Sequence, residues 1–150
     1  MMKMNIKLTS PAFKDKGMIP SKYTCDGENV NPPLNIEVDK GAKTLVLIVD
    51  DPDAPMGVWD HWIVWNISPD IKKIEENSVP QNSTQGMNSA GENNYGGPCP
   101  PSGTHRYIFK LYALDKKIEL TSSARKIDVE MEMKGHMLAQ TELVGLYSRK

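Results

Sequence analysis

Short runs of β-branched and aromatic residues, each bounded by Gly, Pro or Asp, dominate the hydrophobic pattern of the chain. Three of them predict strands: Thr44–Val49, His61–Ile67 and Arg106–Leu114. Thr44–Val49 is nearly all apolar, which marks a central strand buried on both faces. Shorter strands are expected at Asn5–Thr9, Leu34–Val38 and Glu142–Tyr147. Pro11, Pro20, Pro32 and Pro33 break the N-terminal third into short edge strands joined by turns. One stretch, Asp128–Gln140, predicts a packing helix. Asp128 suits its N-cap, Glu130 and Glu132 suit the positive end of its dipole, and Val129, Met133, Met137 and Gln140 share a face with His136 at the boundary. Ile71–Glu76 predicts a further helical turn, and Met1, Met2 and Met4 read as terminal residues. The segment Pro80–Gly103 is dense in Gly, Asn, Ser and Pro, with little periodicity. Loops this long inside a domain are usually functional or disordered, and this one runs into a strong strand, so it is expected to line a site.

Composition narrows the class. The 150 residues make one domain, 1–150, with eleven Pro and eleven Gly, a count that favours a loop-rich β protein over a helical bundle. Eighteen Lys and Arg face nineteen Asp and Glu, a net charge of −1, which argues against a nucleic-acid partner held by phosphate neutralisation. No apolar run is long enough for a membrane span, and the N-terminus has no secretory pattern, so a cytoplasmic location is expected. Cys25 and Cys99 are accordingly expected as reduced thiols, with a disulfide left open because sequence does not give their separation.

Three segments carry candidate chemistry. In Asp50-Asp51-Pro52-Asp53-Ala54-Pro55 an extended backbone would put Asp51 and Asp53 on one side, held rigid by the prolines. Two acidic residues capping a turn is the other reading. In Trp59–Ile67, alternation puts His61, Ile63 and Trp65 on one face and Trp62, Val64 and Asn66 on the other. His61 is then either a partner for those carboxylates or a boundary histidine. In Gly97–Tyr107 a stiff Pro-rich loop feeds a strand with His105 and Tyr107 on one face and Arg106 on the other; imidazole and phenol both donate to anions. No dense metal-ligand motif, G-x-S-x-G elbow or dinucleotide glycine motif is present, and Glu92 follows the one P-loop-like glycine spacing where Lys is required. No cofactor and no metal are expected.

Taken together, Ile19–Leu34, Asp51–Ile67, Gly86–Leu114 and Lys134–Tyr147 resemble the phosphatidylethanolamine-binding protein family, which includes Raf kinase inhibitor protein, and its prokaryotic branch in particular. The resemblance spans nearly the whole chain in order; D-P-D-x-P, then H-W, then G-x-H-R-Y is specific as a set. It implies an all-β-dominated fold, an antiparallel β-sandwich with one or two short helices, one of them near the C-terminus. It implies a shallow pocket for a small anion or phosphorylated head group, lined by Asp51, Asp53, His61, Pro101, His105 and Tyr107. It implies a binding protein rather than an enzyme, with inhibition of a kinase or serine protease as the alternative and a metal-assisted hydrolase a distant third. Exposed strand edges would also allow a homodimer.

Overall fold

A computed structural model describes residues 4–149. In chain order the strands are β1 (Ile6–Thr9), β2 (Gly17–Met18), β3 (Leu34–Val38), β4 (Thr44–Asp51), β5 (Trp59–Ile67), β6 (Lys73–Ile74), β7 (Thr84–Gln85) and β8 (Thr104–Leu114), followed by helix α1 (Lys126–Met133) and β9 (Met137–Ser148). They form two sheets, ordered β1-β3-β6 and β2-β9-β8-β4-β5-β7. The pairings are antiparallel except that of β2 with β9, where Gly17 pairs with Gly145 and Met18 with Leu146 in parallel.

β4 is buried along its whole length, as its apolar run requires. On one face Leu45, Leu47 and Val49 join Phe109 and Leu111 of β8 and meet Leu8, Leu34, Ile36 and Ile74 from the smaller sheet, so both sheets share one core. On the other face Val46, Ile48, Ile63 and Trp65 are covered by Ile118, Ala124 and the α1 residues Val129 and Met133. Each such buried aliphatic side chain contributes about 1.5–3 kcal/mol. Two-sided burial therefore anchors the strand whose end carries Asp50 and Asp51.

Three expectations are corrected. The helix is shorter than Asp128–Gln140 and begins earlier: Arg125 is its N-cap, and Asp128 sits inside the first turn, accepting the Arg125 backbone N–H at 2.9 Å. It stops at Met133 because Gly135 adopts φ +82°, a left-handed conformation that glycine tolerates. Met137 and Gln140 consequently belong to β9, where Ala139 and Gln140 pair with Ala113 and Tyr112. Ile71–Glu76 is not a helical turn but contains β6, whose Ile74 pairs with Leu34. Met1 and Met2 lie outside the described residues, whereas Met4 packs against the shared core instead of trailing from it.

Two irregularities interrupt the β4–β5 ladder, one of them at the cavity. Pairing runs Val49↔Trp62 and then Asp50↔Asp60, so His61 is an extra residue on β5. A second extra residue falls between Leu45↔Ile67 and Leu47↔Val64, where Asn66 has φ +57° and bonds the Ile118 backbone through both amide atoms at 2.8 Å. Such bulges twist a strand and re-aim its side chains.

Candidate functional site

The far ends of β4, β5 and β8 converge with the Pro-rich loop on a cavity of about 270 Å³. Its lining comprises Asp51, Ala54, Pro55, Trp59, His61, Gly97, Cys99, Pro100, Pro101, His105 and Tyr107. That volume is just below the roughly 300–1,000 Å³ common for small-molecule sites, so it suits a compact ligand.

β8 contributes by simple alternation. Tyr107 and His105 continue the face of Phe109 and Leu111, and their rings stack with centroids 6.4 Å apart. β5 contributes through its bulge. Plain alternation would send His61 with Ile63 toward α1, but the extra residue turns it toward Tyr107, whose ring it meets edge-on at 5.2 Å. The equal alternation expected for His61, Ile63 and Trp65 therefore fails at His61.

Hydrogen bonds fix the role of each ring. His61 Nδ1 lies 2.6 Å from the Gly96 carbonyl, which only accepts, so Nδ1 carries the proton. Burial lowers the pKa of His61 below the ordinary 6.5, so the neutral ring is favoured. His105 Nδ1 donates to Asp51 Oδ2 at 2.7 Å, and both side chains are buried. Neither Nε2 has a protein partner among the described residues. The Tyr107 hydroxyl is buried, the residue being only 1% exposed, and it has no hydrogen-bond partner among the described residues. Burial, with the Asp51 charge added, pushes its pKa well upward, so it remains a donor.

Asp53 is not among the lining residues, which departs from the extended pairing with Asp51 that the sequence suggested. β4 ends at Asp51, whose Oδ1 accepts the Asp53 N–H at 2.7 Å and so folds the chain into a turn. Arg106 then takes both Asp53 oxygens, Nε to Oδ2 at 2.9 Å and Nη2 to Oδ1 at 2.8 Å, holding the carboxyl near a pKa of about 2. Asp51, His61, Pro101, His105 and Tyr107 all line the one cavity.

The loop from Gly96 to Gly103 supplies the remaining wall, and it is tied down on two sides. The Gly96 N–H donates to the His61 carbonyl at 3.0 Å and the Gly97 N–H to Asn29 Oδ1 at 2.8 Å. A Cβ on Gly97 would collide with Asn29 and the Tyr23 carbonyl, so only glycine permits this approach. Cys99 is joined to Cys25 by a disulfide with Cα atoms 5.5 Å apart, which overturns the expectation of two reduced thiols. Sequence reasoning also misses Trp59, although alternation along Trp59–Ile67, which puts it on the same side as His61, was a usable signal. Among the described residues no group of three or more His, Cys, Asp or Glu is placed to hold a metal ion. No helix among them is long and apolar enough to cross a membrane.

With two sheets, one helix near the C-terminus and a histidine- and tyrosine-lined cavity, the architecture agrees with the comparison to known proteins. The chain belongs to the phosphatidylethanolamine-binding protein family, whose sequence profile matches residues 9–148. It is 53% identical to a UPF0098 protein of Methanothermobacter thermautotrophicus over 97% of this chain and 99% of that one. A phosphatidylethanolamine-binding protein homolog of Chlamydia trachomatis superposes with a TM-score of 0.93 at 42% identity, covering 97% of this chain and 98% of that one. YbcL of E. coli, described as a member of the mammalian family, superposes with a TM-score of 0.90 at 30% identity, covering 97% and 99%.

Proposed function

We propose that this cavity binds a small tetrahedral anion, either free or as the phosphate of a phosphorylated head group, and does not turn it over. The observation that carries the reading is the Tyr107 hydroxyl, buried at the cavity with no partner among the described residues. Leaving such a donor unsatisfied costs about 1–3 kcal/mol, which a ligand oxygen would recover. His105 and His61 each have Nε2 unused, and a protonated His61 would add a second donor and a charge. Asp51 opposes an anion by its charge, which a proton taken up by His61 on binding would offset. We read the two sheets around their common core as a sandwich, with the cavity at one end.

Histidine-resolved NMR titration with inorganic phosphate tests the proposal. His61 and His105 should shift together while His136, paired with Asp115 at 2.8 Å away from the cavity, stays put. Tyr107→Phe should weaken phosphate about tenfold without loss of stability. Unmoved His61 and His105 resonances at millimolar phosphate would sink the reading.

Exposed Met56 and Val58 beside the cavity favour one second reading, contact with a kinase or serine protease. Inhibition at stoichiometric concentration across an enzyme panel is its test. Cytoplasmic residence, expected from the sequence, has to be squared with a disulfide that reducing compartments disfavour. Thiol labelling of protein freshly extracted from its source decides: free thiols support the cytoplasm, a protected pair an oxidising compartment.

A further inference from the structure

The six-stranded sheet leaves part of the β9 edge uncovered. β2 pairs there with Gly145 and Leu146. At Val144 the N–H donates to Asp15 Oδ1 at 2.9 Å, and the carbonyl accepts from the Lys16 N–H at 2.6 Å. Backbone groups of an antiparallel strand alternate in direction, so Glu142 and Gln140 turn theirs the same way as Val144, while Thr141 and Leu143 turn theirs to β8. Among the described residues nothing bonds the N–H or C=O of Gln140 or Glu142 on that open side. The other edges are guarded by shortness or by lysine, the usual devices against pairing. β6 and β7 have two residues each, and β1 carries Lys7. Leu138–Leu143 has neither Lys nor Pro, and its Leu138, Gln140 and Glu142 side chains are exposed.

We propose that this edge pairs antiparallel with the same edge of a second copy of the chain, with Thr141 on the two-fold axis. A two-fold contact uses one patch twice, so the patch must complement itself. In this register Gln140 exchanges both backbone bonds with the partner's Glu142, and Glu142 does so with the partner's Gln140, so every open N–H and C=O is used. The side chains agree, because the Gln140 amide donates to the partner's Glu142 carboxylate and the two Thr141 side chains face each other. Neighbouring registers fit worse. An axis at Glu142 sets two carboxylates together and brings Gln140 against the partner's Val144, which Asp15 and Lys16 already cover. An axis at Gln140 matches Glu142 with Leu138, which has no ladder partner on β8 and sits in a bulge. That bulge bends the strand where a straight continuation would meet the partner's Asp15.

Sedimentation equilibrium of the whole chain makes the test. A monomer–dimer equilibrium is expected within roughly 10 µM to 1 mM protein, because a contact along one strand edge is small. Gln140→Glu sets a carboxylate against the partner's Glu142 and should weaken the dimer about fivefold, whereas Gln140→Lys sets an ammonium there and should strengthen it about threefold. Gln140 is exposed, so neither change threatens the fold of the single chain. Cysteine cross-linking reads the register. Directly opposed residues of a non-hydrogen-bonded pair have Cα atoms about 4.5 Å apart, inside the roughly 4.4–6.8 Å of disulfides. Mild oxidation should therefore join two copies of the Thr141→Cys variant faster than two copies of Gln140→Cys; Cys25 and Cys99 are already bonded to each other. A monomer across the whole concentration range overturns the inference. So do equal dimer affinities of Gln140→Glu and Gln140→Lys, or faster cross-linking of Gln140→Cys. None of these outcomes bears on the anion-binding reading, because no β9 residue lines the cavity.

Discussion

On one face of the six-stranded sheet Asp51 meets a histidine and a cavity; on the other, Asp50 meets Lys110 at 3.0 Å and Lys126 at 3.2 Å beneath α1. The two residues are adjacent, equally buried and at the end of the same strand. They differ in their partners. Lysines are charged at neutral pH, and Lys126 also binds Asp60 at 2.7 Å, so that face is an ion cluster that fastens the helix. A histidine spends one ring nitrogen on Asp51 and keeps the other. Leftover hydrogen-bonding capacity next to an open volume is what separates the cavity face from the helix face.

The largest effect expected from this contrast comes from the covalent tie, which serves the cavity face alone. The Cys25–Cys99 bridge spans 74 residues of sequence, and cross-links of this kind contribute about 2–5 kcal/mol. Reduction should lower the denaturation midpoint accordingly and weaken phosphate binding by loosening the Gly97–Pro101 wall. An unchanged midpoint in reductant would mean that hydrogen bonds alone hold the loop.

Next in size is the paired substitution. Asp50→Asn leaves two half-buried lysines short of a counter-charge and should cost on the order of 2–3 kcal/mol, below the full penalty for a buried pair because the lysines can reach water. Phosphate affinity should hold within a factor of two. Asp51→Asn should do the reverse, weakening phosphate about tenfold by releasing His105, at a smaller cost in denaturant stability. Equal effects of the two variants on both measurements would erase the distinction between the faces.

Much of this was legible in the sequence. Thr44–Val49, His61–Ile67 and Arg106–Leu114 were readable because their apolar content and flanking breakers agree, and alternation correctly paired His105 with Tyr107. What failed did so where tertiary structure overrides a local period. Val129, Met133 and Met137 fit a helical stripe, yet Gly135 ends the helix and Leu143, Gly145 and Tyr147 follow strand alternation instead. The bulge at His61 leaves no local mark, because the extra residue is defined only by the partner strand. The disulfide needed the separation of two loops, and the position of Asp53 needed the side-chain turn at Asp51, neither of which periodicity reports.

Acid should expose the cavity face through His61. Its pKa in the folded protein is lowered by burial, so folded and unfolded chains are both neutral at this ring above about pH 6.5 and it contributes nothing there. As pH falls below that value the unfolded chain takes the proton first, and stability declines until the lowered folded pKa is passed. Anion affinity moves the other way, because a bound anion favours the charged ring. Sulfate, whose own charge is constant over this range, should bind more tightly as pH drops while the ligand-free protein loses stability. A sulfate affinity flat from about pH 7.5 to 5 would remove His61 from the site.

The smallest effect belongs to Asp53, and it marks the boundary of the cavity face. Its pair with Arg106 is largely exposed, and such pairs contribute about 0–1 kcal/mol, so Asp53→Asn should shift the denaturation midpoint only slightly. With its pKa held near 2, the carboxyl is ionised at any working pH, and its small contribution is lost only as pH falls from about 4 toward that value. Because the carboxylate is neutralised by Arg106 and lies outside the lining, phosphate affinity should change by less than twofold. A tenfold loss on Asp53→Asn would instead show that the turn opens on binding and delivers Asp53 to the ligand. Asp51 and Asp53 would then act together, as an extended backbone would have had them.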